Sequence, residues 1–346
     1  MLEIMHSVTP SSERLGRLLD SVMTIDFGGR GFVNILYKAI RATVDLPLSV
    51  NAAEVIRGAL SPGTVAMIAT GFPVRPWISP AIGETDGPPG AAALARAISL
   101  GLNAIPVVTA PIAMVEQVRA SLCATGMSIL ELEEARRAVE GSRSTCAAVV
   151  LAREPGPISQ ADATDLFKIY NPTILAAIEH PGANATGIYN SSVGIDISDG
   201  VAASEPLFEE ARRRAVPTLS FIDNVNEIGA GGIAPEALRQ LAIAARTAGT
   251  SRVDHLVVGT TANWAAYATV AALAVLLDRE DLLMSRERDA KAIAAVMAAG
   301  GVEGVSGSAW PEDGVDAVPS WVSGHIVDLF AHIARSHAVN ERRGAF

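Results

Sequence analysis

Six short apolar runs recur along the chain: Val65–Thr70, Asn103–Thr109, Cys146–Ala152, Thr173–Glu179, Pro217–Ile222 and His255–Thr260. They are apolar throughout rather than alternating with polar residues, which is the pattern of strands covered on both faces. Pro106 inside the second run predicts an edge or irregular strand, because proline brings no N–H to a ladder. Between the runs, apolar residues return at helical spacing. One helix is predicted from Pro88 to Leu100, with Ala91, Leu94, Ala95 and Ile98 on its buried face and Gly101 as its stop. A second starts at Ser204, carries Glu205 and Glu209 early and Arg212, Arg213 and Arg214 late, and so complements its own dipole. A third begins at Pro235, stops at Gly249 and buries Leu238, Leu241, Ala242 and Ala245. Strand–helix alternation of this kind predicts an α/β fold of three layers, α/β/α, with a mainly parallel sheet and right-handed crossovers. Residues 1–60 show helical patterns without strands and read as an N-terminal helical cap. Residues 300–320 read as a loop before a final helix near Ser320–His337. No shift in composition marks a linker, so 1–346 reads as a single domain, with the cap at 1–60 and the sheet core and C-terminal helix at 61–346.

Composition narrows the partners. Apolar residues make up 49% and charged residues 18% of the 346, enough apolar side chain for a sizeable core and the opposite of a disordered chain. Lys and Arg number 27 against 37 Asp and Glu, a net charge of −10, and no basic run occurs beyond Arg212–Arg214. Nucleic acid is therefore disfavoured and a small-molecule substrate is expected. Lys38, Lys168 and Lys291 leave few candidates for Schiff-base chemistry. Cys123 and Cys146 form no metal-type pair and read as buried apolar residues in a reducing compartment. The longest apolar run, Trp264–Leu277, falls short of the roughly 20 residues of a membrane span and reads as a buried helix. The opening M-L-E-I-M-H has no basic n-region before an apolar stretch. A cytoplasmic protein with no membrane partner is expected. The Ala-rich helices, including the one after Asn263, could serve a homo-oligomer interface.

The chemistry collects after the strands. In open α/β sheets ligands bind beyond the carboxyl ends of the strands. The first run is followed by Gly71-Phe72 and a loop ending in E-T-D-G-P-P-G, Glu84–Gly90; the fourth by Glu179, His180 and Pro181-Gly182. The fifth leads into D-N-V-N-E-I-G-A-G-G, Asp223–Gly232, and the sixth into Thr261-Ala262-Asn263-Trp264. Four strands of an apolar chain thus deliver Glu84, Asp86, Glu179, Asp223, Asn226, Glu227 and Asn263 toward one rim. A helix N-terminus ordinarily offers N–H groups to an anion, but Pro88 and Pro89 remove two of them, so this loop suits an ammonium or a divalent cation better than a phosphate. Acidic residues also precede helices for a plainer reason: Asp86 or Gly87 caps the helix and Glu84 is solvated.

Other chemistries fit poorly. Gly229–Ala234 matches G-x-G-x-x-A, yet six residues separate it from the strand and no acidic residue ends the next strand, so no nucleotide cofactor is expected and the glycines read as a turn into the Pro235 helix. There is no P-loop, and Gly304–Ser308 fails the last position of G-x-S-x-G. His180 and His255 sit at strand ends as packed or hydrogen-bonded residues. His325, His332 and His337 share the final helix without an i, i+4 pair, which disfavours zinc.

Read together, the loops resemble a known family. T-G-F at Thr70–Phe72, E-T-D-G-P-P-G-A at Glu84–Ala91, A-I-E-H-P-G-A-N-A-T-G-I-Y at Ala177–Tyr189, N-E-I-G at Asn226–Gly229, D-H-L-V-V at Asp254–Val258 and N-W-A-A-Y at Asn263–Tyr267 occur in one order. They resemble the C-terminal domain of D-glutamate cyclases and their stand-alone bacterial relatives, with weaker matches at Gly28–Gly31 and Gly301–Val305. The resemblance implies a hydro-lyase that closes an acidic amino acid to a lactam such as 5-oxoproline. One departure stands out: where the family has a glycine-rich stretch before N-E-I-G, this chain has Ile222-Asp223-Asn224-Val225, which implies a narrower pocket and a changed substrate.

Lactam formation needs the ammonium deprotonated, the γ-carboxylate made electrophilic and an oxygen released as water. On this reading Glu227 or Asp223 is the general base, and Glu84 and Asp86 hold the ammonium or a divalent cation. Asn226, Asn263 and the N–H groups around Gly71 hold the carboxylates, with Thr70, Thr85, Gly87, Glu179 and Trp264 completing the substrate pocket. So acidic a rim facing a dianionic substrate would repel it, which points to Mg²⁺ or Mn²⁺ as a cofactor. Two alternatives remain open at this point: an amidohydrolase opening a lactam or cyclic imide, and a non-catalytic module binding an amino acid or dicarboxylate.

Overall fold

All six apolar runs pair in parallel. In the computed structural model, which describes residues 9–29, 31–140 and 145–344, the strands are β1 (Val65–Thr70), β2 (Ile105–Pro111), β3 (Ser128–Ile129), β4 (Ala147–Arg153), β5 (Gly156–Pro157), β6 (Pro172–Ile178), β7 (Ala202–Ala203), β8 (Thr218–Ile222) and β9 (His255–Val258). Seven form one sheet in the order β3-β4-β2-β1-β6-β8-β9, every pair parallel, while β5 and β7 form a separate two-stranded ladder. The N-terminal M-L-E-I-M-H stretch, and Arg30 within Gly28–Gly31, lie outside the described residues.

The helices are α1 (Pro10–Met23), α2 (Phe32–Arg41), α3 (Leu48–Ala59), α4 (Pro88–Leu102), α5 (Val115–Ala124), α6 (Leu132–Val139), α7 (Gln160–Tyr170), α8 (Glu205–Arg213), α9 (Pro235–Leu238), α10 (Ala244–Thr247), α11 (Ala262–Leu276), α12 (Arg286–Ala298) and α13 (Ser320–Arg342). Strand residues alternate between two apolar interfaces, as the period of two requires. Ala66, Ile68, Val108 and Ile178 face one core with α3, α4, α5 and α11. Met67, Leu175 and Ala177 face α7 and α8, and Val65, Val107 and Val149 face α6. The result is the expected α/β/α sandwich. The first three helices pack into it: α1 against α13, α11 and α3, α3 against α11 and β9, and α2 against β9. No helix among the described residues is long and apolar enough to cross a membrane.

Four sequence expectations change. Cys123, expected in the core, is exposed near the end of α5, and Cys146 is only partly buried. Pro106 sits in an interior strand, not at an edge. It is tolerated because the Ile105 N–H already bonds β1 through Thr64 O, and pairing to β4 begins only at Val107, so the missing N–H of Pro106 has no ladder to break. Gly101 lies inside α4, which ends instead at Asn103 in the left-handed region. The helix expected over Pro235–Gly249 is two four-residue helices, because i→i+3 bonds from Gln240, Leu241 and Ala244 interrupt it.

Along the sheet, the chain builds outward from β1 through β2 to β4, then returns to β6 and builds the other way through β8 to β9. The reversal between β1 and β6 creates a crevice at their carboxyl ends, where Thr70 stands opposite Ile178.

A candidate active site at the switch point

Two helix N-termini meet at this crevice, and each is capped by the other's loop. Asp86 follows the long connection from β1; its Oδ2 accepts the Ala262 N–H at 2.6 Å and its Oδ1 the Asn263 N–H at 2.8 Å, closing the start of α11. Asn263 answers from the first turn of α11. Its Oδ1 accepts the N–H groups of Gly87 (3.0 Å) and Gly90 (2.7 Å) at the start of α4, and its Nδ2 donates to Thr85 O at 3.0 Å. With Pro88 and Pro89 carrying no N–H, the start of α4 is closed to an anion, in keeping with the sequence expectation. The plainer capping alternative is met only in part: Asp86 does cap a helix, but it is α11, and Glu84, expected there to be solvated, is buried. Thr261, the N-cap residue of α11, accepts from Trp264 N at 3.1 Å.

Asn263 therefore has both amide groups committed to the scaffold rather than to a substrate carboxylate. Trp264 points into the core: it is buried, its Nε1 donates to Ser323 Oγ at 3.1 Å, and its ring meets Phe27 edge-on at 5.7 Å. Thr85 is likewise buried and donates to Gly314 O at 2.7 Å. Gly87 has a structural reason to be glycine. At φ +95°, a Cβ there would stand 2.8 Å from Thr70 Oγ1 and 2.9 Å from Glu179 Cβ.

In front of this scaffold lies a cleft of about 350 Å³, whose wall includes Glu84, Glu179, Asp223, Asn226 and Asp316. A smaller recess of about 140 Å³ shares Asp223, Asn224 and Asp316 and reaches Phe27 and Thr260. A groove of about 480 Å³ between the ends of α11 and α13 lies apart from these carboxyls. Ligand oxygens of Asp86, Glu179 and Asp223 lie within 4.8 Å of one another. Glu227 stands behind the wall, fully buried. Its Oε1 accepts the N–H groups of Asp223 (3.0 Å) and Asn224 (2.9 Å), which bends the loop after β8 around the carboxylate. Glycines at 182 and 249 let this backbone approach closely: a Cβ on Gly182 would stand 2.7 Å from the Glu227 carbonyl. Glu227 Oε2, Glu179 Oε2, Thr70 Oγ1 and Asn226 Oδ1 are buried without a hydrogen-bond partner, while Asn226 Nδ2 donates to Asn190 O at 2.9 Å. Gly71, at φ +104°, turns the chain away from β1.

Glu179 adopts φ +43° and Asp316 φ +49°, both in the left-handed region, where the Cβ crowds the backbone, at less cost for Asp than for Glu. Strain of this kind is concentrated where side-chain placement is functional.

Electrostatics sharpen the picture. Burial, followed by the nearby carboxylates of Asp316, Asp86, Asp223 and Glu227, holds the Glu84 carboxyl well above its usual range. Glu179 is raised by burial and then by Glu227, Asp223, Glu84 and Asp86. Asp86 and Asp316 are raised in the same way, by burial first and then by like charge. Burial also raises Glu227, against the pull of the Asn224 and Asp223 N–H groups. Among the described residues, no Lys or Arg forms an ion pair with Glu84, Asp86, Glu179, Glu227 or Asp316. Carboxyls crowded in this way hold protons at neutral pH or share a cation.

Asp316 was not anticipated. It follows no strand of the sheet, and it is placed by Glu303, whose buried carboxylate gathers the N–H groups of Val305 (3.0 Å), Ser306 (2.5 Å) and Ala317 (2.8 Å). The departure at Ile222–Val225 also resolves. Val225 packs into the core, and Asn224 alone of the two replacements stands in the cleft wall.

The family described as D-glutamate cyclase-like, C-terminal, matches residues 19–326. The mitochondrial D-glutamate cyclase of Homo sapiens is 27% identical over 263 residues, covering 75% of this chain; the matched part is 39% of that relative's own length. With its matched region running from α1 into α13 and enclosing the whole carboxyl-lined cleft, this chain belongs to the D-glutamate cyclase-like C-terminal family.

Proposed function

We propose that the chain is a lyase of the D-glutamate cyclase type, closing an acidic amino acid to a five-membered lactam such as 5-oxoproline with release of water. The observation that carries this reading is the convergence of Glu84, Glu179, Asp223 and Asp316 on one cleft, where burial and like charge raise the Glu84, Glu179 and Asp316 carboxyls so that they can hold protons for delivery. Family membership and the distant relative named a D-glutamate cyclase support it.

Closure forms a C–N bond between the amine and the γ-carbon and breaks one C–O bond of the γ-carboxylate. Two protons leave the nitrogen and two arrive on the departing oxygen, so base and acid must stand on either side of the forming ring. Asp223, half-exposed in the cleft wall, takes the base role better than Glu227, which is sealed behind it. Glu179 and the buried Glu227, whose charge helps to raise the Glu179 carboxyl, form the proton-holding pair that serves the leaving oxygen. The attack itself is intramolecular, so orientation supplies much of the acceleration.

The donor set also fits a hard divalent cation. Its ligand atoms are carboxylate oxygens within reach of one centre, and Glu179 Oε2 has no protein partner. Asp86, Glu179 and Asp223 would hold Mg²⁺ or Mn²⁺, which when bound supplies positive charge and Lewis acidity toward a carboxylate oxygen.

The deciding experiment incubates the purified chain with D- and L-glutamate, with and without Mn²⁺, and follows 5-oxoproline. The reverse assay offers lactams and cyclic imides. Turnover of glutamate that is abolished in Glu227→Gln, with folding intact, is the expected result. Opening of a cyclic imide with no action on glutamate would instead place the protein among amidohydrolases, since the same carboxyls serve the reverse direction. Binding without turnover in either direction would leave it a ligand-binding module.

A further inference from the structure

One cation stands in the wall of the acidic cleft. Arg75 lines it together with Glu84, Glu179, Asp223 and Asp316, and no other Lys or Arg among the described residues does so. It forms no ion pair among the described residues. Its guanidinium donates instead to two neutral carbonyls, Gly304 O at 3.5 Å and Val305 O at 3.2 Å, both long contacts that leave other N–H groups of the fork unspent. Gly304 separates it from the acids, because a Cβ at Gly304 would collide with Glu84 Oε2 and stand 3.0 Å from Asp316 Oδ1. The same turn also approaches the guanidinium closely at Gly307. Gly307 has φ +76°, and a Cβ there would lie 2.6 Å from Arg75 Cζ. An arginine held by glycine backbone, one residue from a carboxyl cluster yet paired with none of it, is a positive charge kept in place for something outside the protein.

The cleft is therefore bipolar, with a carboxyl floor and an arginine at its mouth beside the apolar side chains of Phe72, Val74 and Trp77. A planar guanidinium suits a carboxylate, and apolar neighbours strengthen the pairing by thinning the water around it.

We propose that Arg75 anchors the carboxylate of the substrate that does not react, so that the site selects α-amino acids and lactams that carry a free carboxylate. This rests on the lactam-forming reading. The amine and the γ-carboxyl are then presented to the acidic floor while the α-carboxylate is clamped at the mouth. Arg75 contacts substrate and orients it, and takes no part in proton transfer.

The test compares wild type, Arg75→Ala and Arg75→Lys on D-glutamate and on its α-amide, D-isoglutamine, which can close the same ring without the charge. Expected is a loss in kcat/KM of at least tenfold for Arg75→Ala on the acid, carried mainly by KM, with less than threefold loss on the amide and partial rescue by lysine. An equal loss on both substrates would mean that Arg75 only braces the Gly304–Gly307 turn, and the anchor is overturned while the lyase reading stands. Thermal shifts with 5-oxo-D-proline and with 2-pyrrolidinone, the same ring lacking the carboxylate, separate the two claims. If wild type turns over nothing but is stabilised by 5-oxoproline in an Arg75-dependent way, the lyase reading fails and the anchor holds. If the two rings stabilise equally, or neither does, the anchor is wrong.

Discussion

Replacing Asn263 by alanine tests whether the crossed helix caps hold the site together. The substitution removes one acceptor shared by the Gly87 and Gly90 N–H groups and one donor to Thr85 O, all of them buried. Leaving a buried polar group unmade costs about 1–3 kcal/mol. The loss of an N-cap side chain alone is worth about 0.5–2 kcal/mol. Because the two N–H groups share a single acceptor, and water could reach a relaxed loop, the sum is set at about 3–5 kcal/mol. With an unfolding entropy of about 2.1 cal/mol/K per residue, a chain of 346 residues shifts about 1.4 °C per kcal/mol, so the melting temperature should fall by roughly 4–7 °C. Asn263→Asp keeps the acceptor but loses the donor and adds charge beside Asp86, so it should also destabilise, by less in acid than at neutral pH. The assay is calorimetry, with urea unfolding as the check. An Asn263→Ala protein that melts within a degree of wild type would refute the argument, and one that melts normally but loses only substrate affinity would restore Asn263 to the substrate pocket.

Three further outcomes follow from particular groups. Gly87→Ala should lower stability by about 1–3 kcal/mol and cut activity more than stability, because the new methyl drives against Thr70 and Glu179; a chevron or melt together with kcat measures both. Asp289 accepts from Tyr267 at 2.8 Å, and burial pushes its carboxyl up to about 6. A raised carboxyl binds its proton more tightly folded than unfolded, so its contribution is fully present below about pH 4 and is lost as the pH rises through 6, about 3 kcal/mol in all. The melting temperature of Asp289→Asn relative to wild type should therefore climb between pH 4 and 7, and a constant difference would count against this. Finally, Mn²⁺ should raise the wild-type melting temperature and relieve the repulsion among the cleft carboxyls, and chelation should reverse it; Glu179→Gln should blunt the shift severalfold, as read by titration calorimetry.

Much of this architecture was legible because buried parallel strands write themselves as unbroken apolar runs. Val65–Thr70 is buried at every position, and so is Thr218–Ile222. Ser128–Ile129, two residues long and partly exposed, has no such signature. Over Pro235–Gly249 the periodicity held only in part: Leu241 is buried as expected, but Leu238 is half-buried, Ala242 and Ala245 are exposed, and tighter turns break the backbone into two short pieces. The cleft was legible to the extent that its residues follow strands, which holds for Glu84, Glu179, Asp223 and Asn226. Asp316 reaches it through a loop shaped by Glu303 and by a left-handed backbone, information carried by tertiary contacts alone. Spacing along the chain likewise cannot distinguish Asn263, spent on helix ends, from Asn226, whose Oδ1 has no partner.

The crossed caps join residues 85–90 to residues 261–263, so they have a consequence during synthesis. When the loop before α4 leaves the ribosome, the asparagine that satisfies it has not yet been translated, and the strand that completes the far wall is also missing. For that interval the acidic loop has to wait in water, where its charges cost little. Only after about half the chain more has emerged can both helix ends dock at once, and a product arrested before residue 260 would own every one of the early acids yet no chamber to put them in.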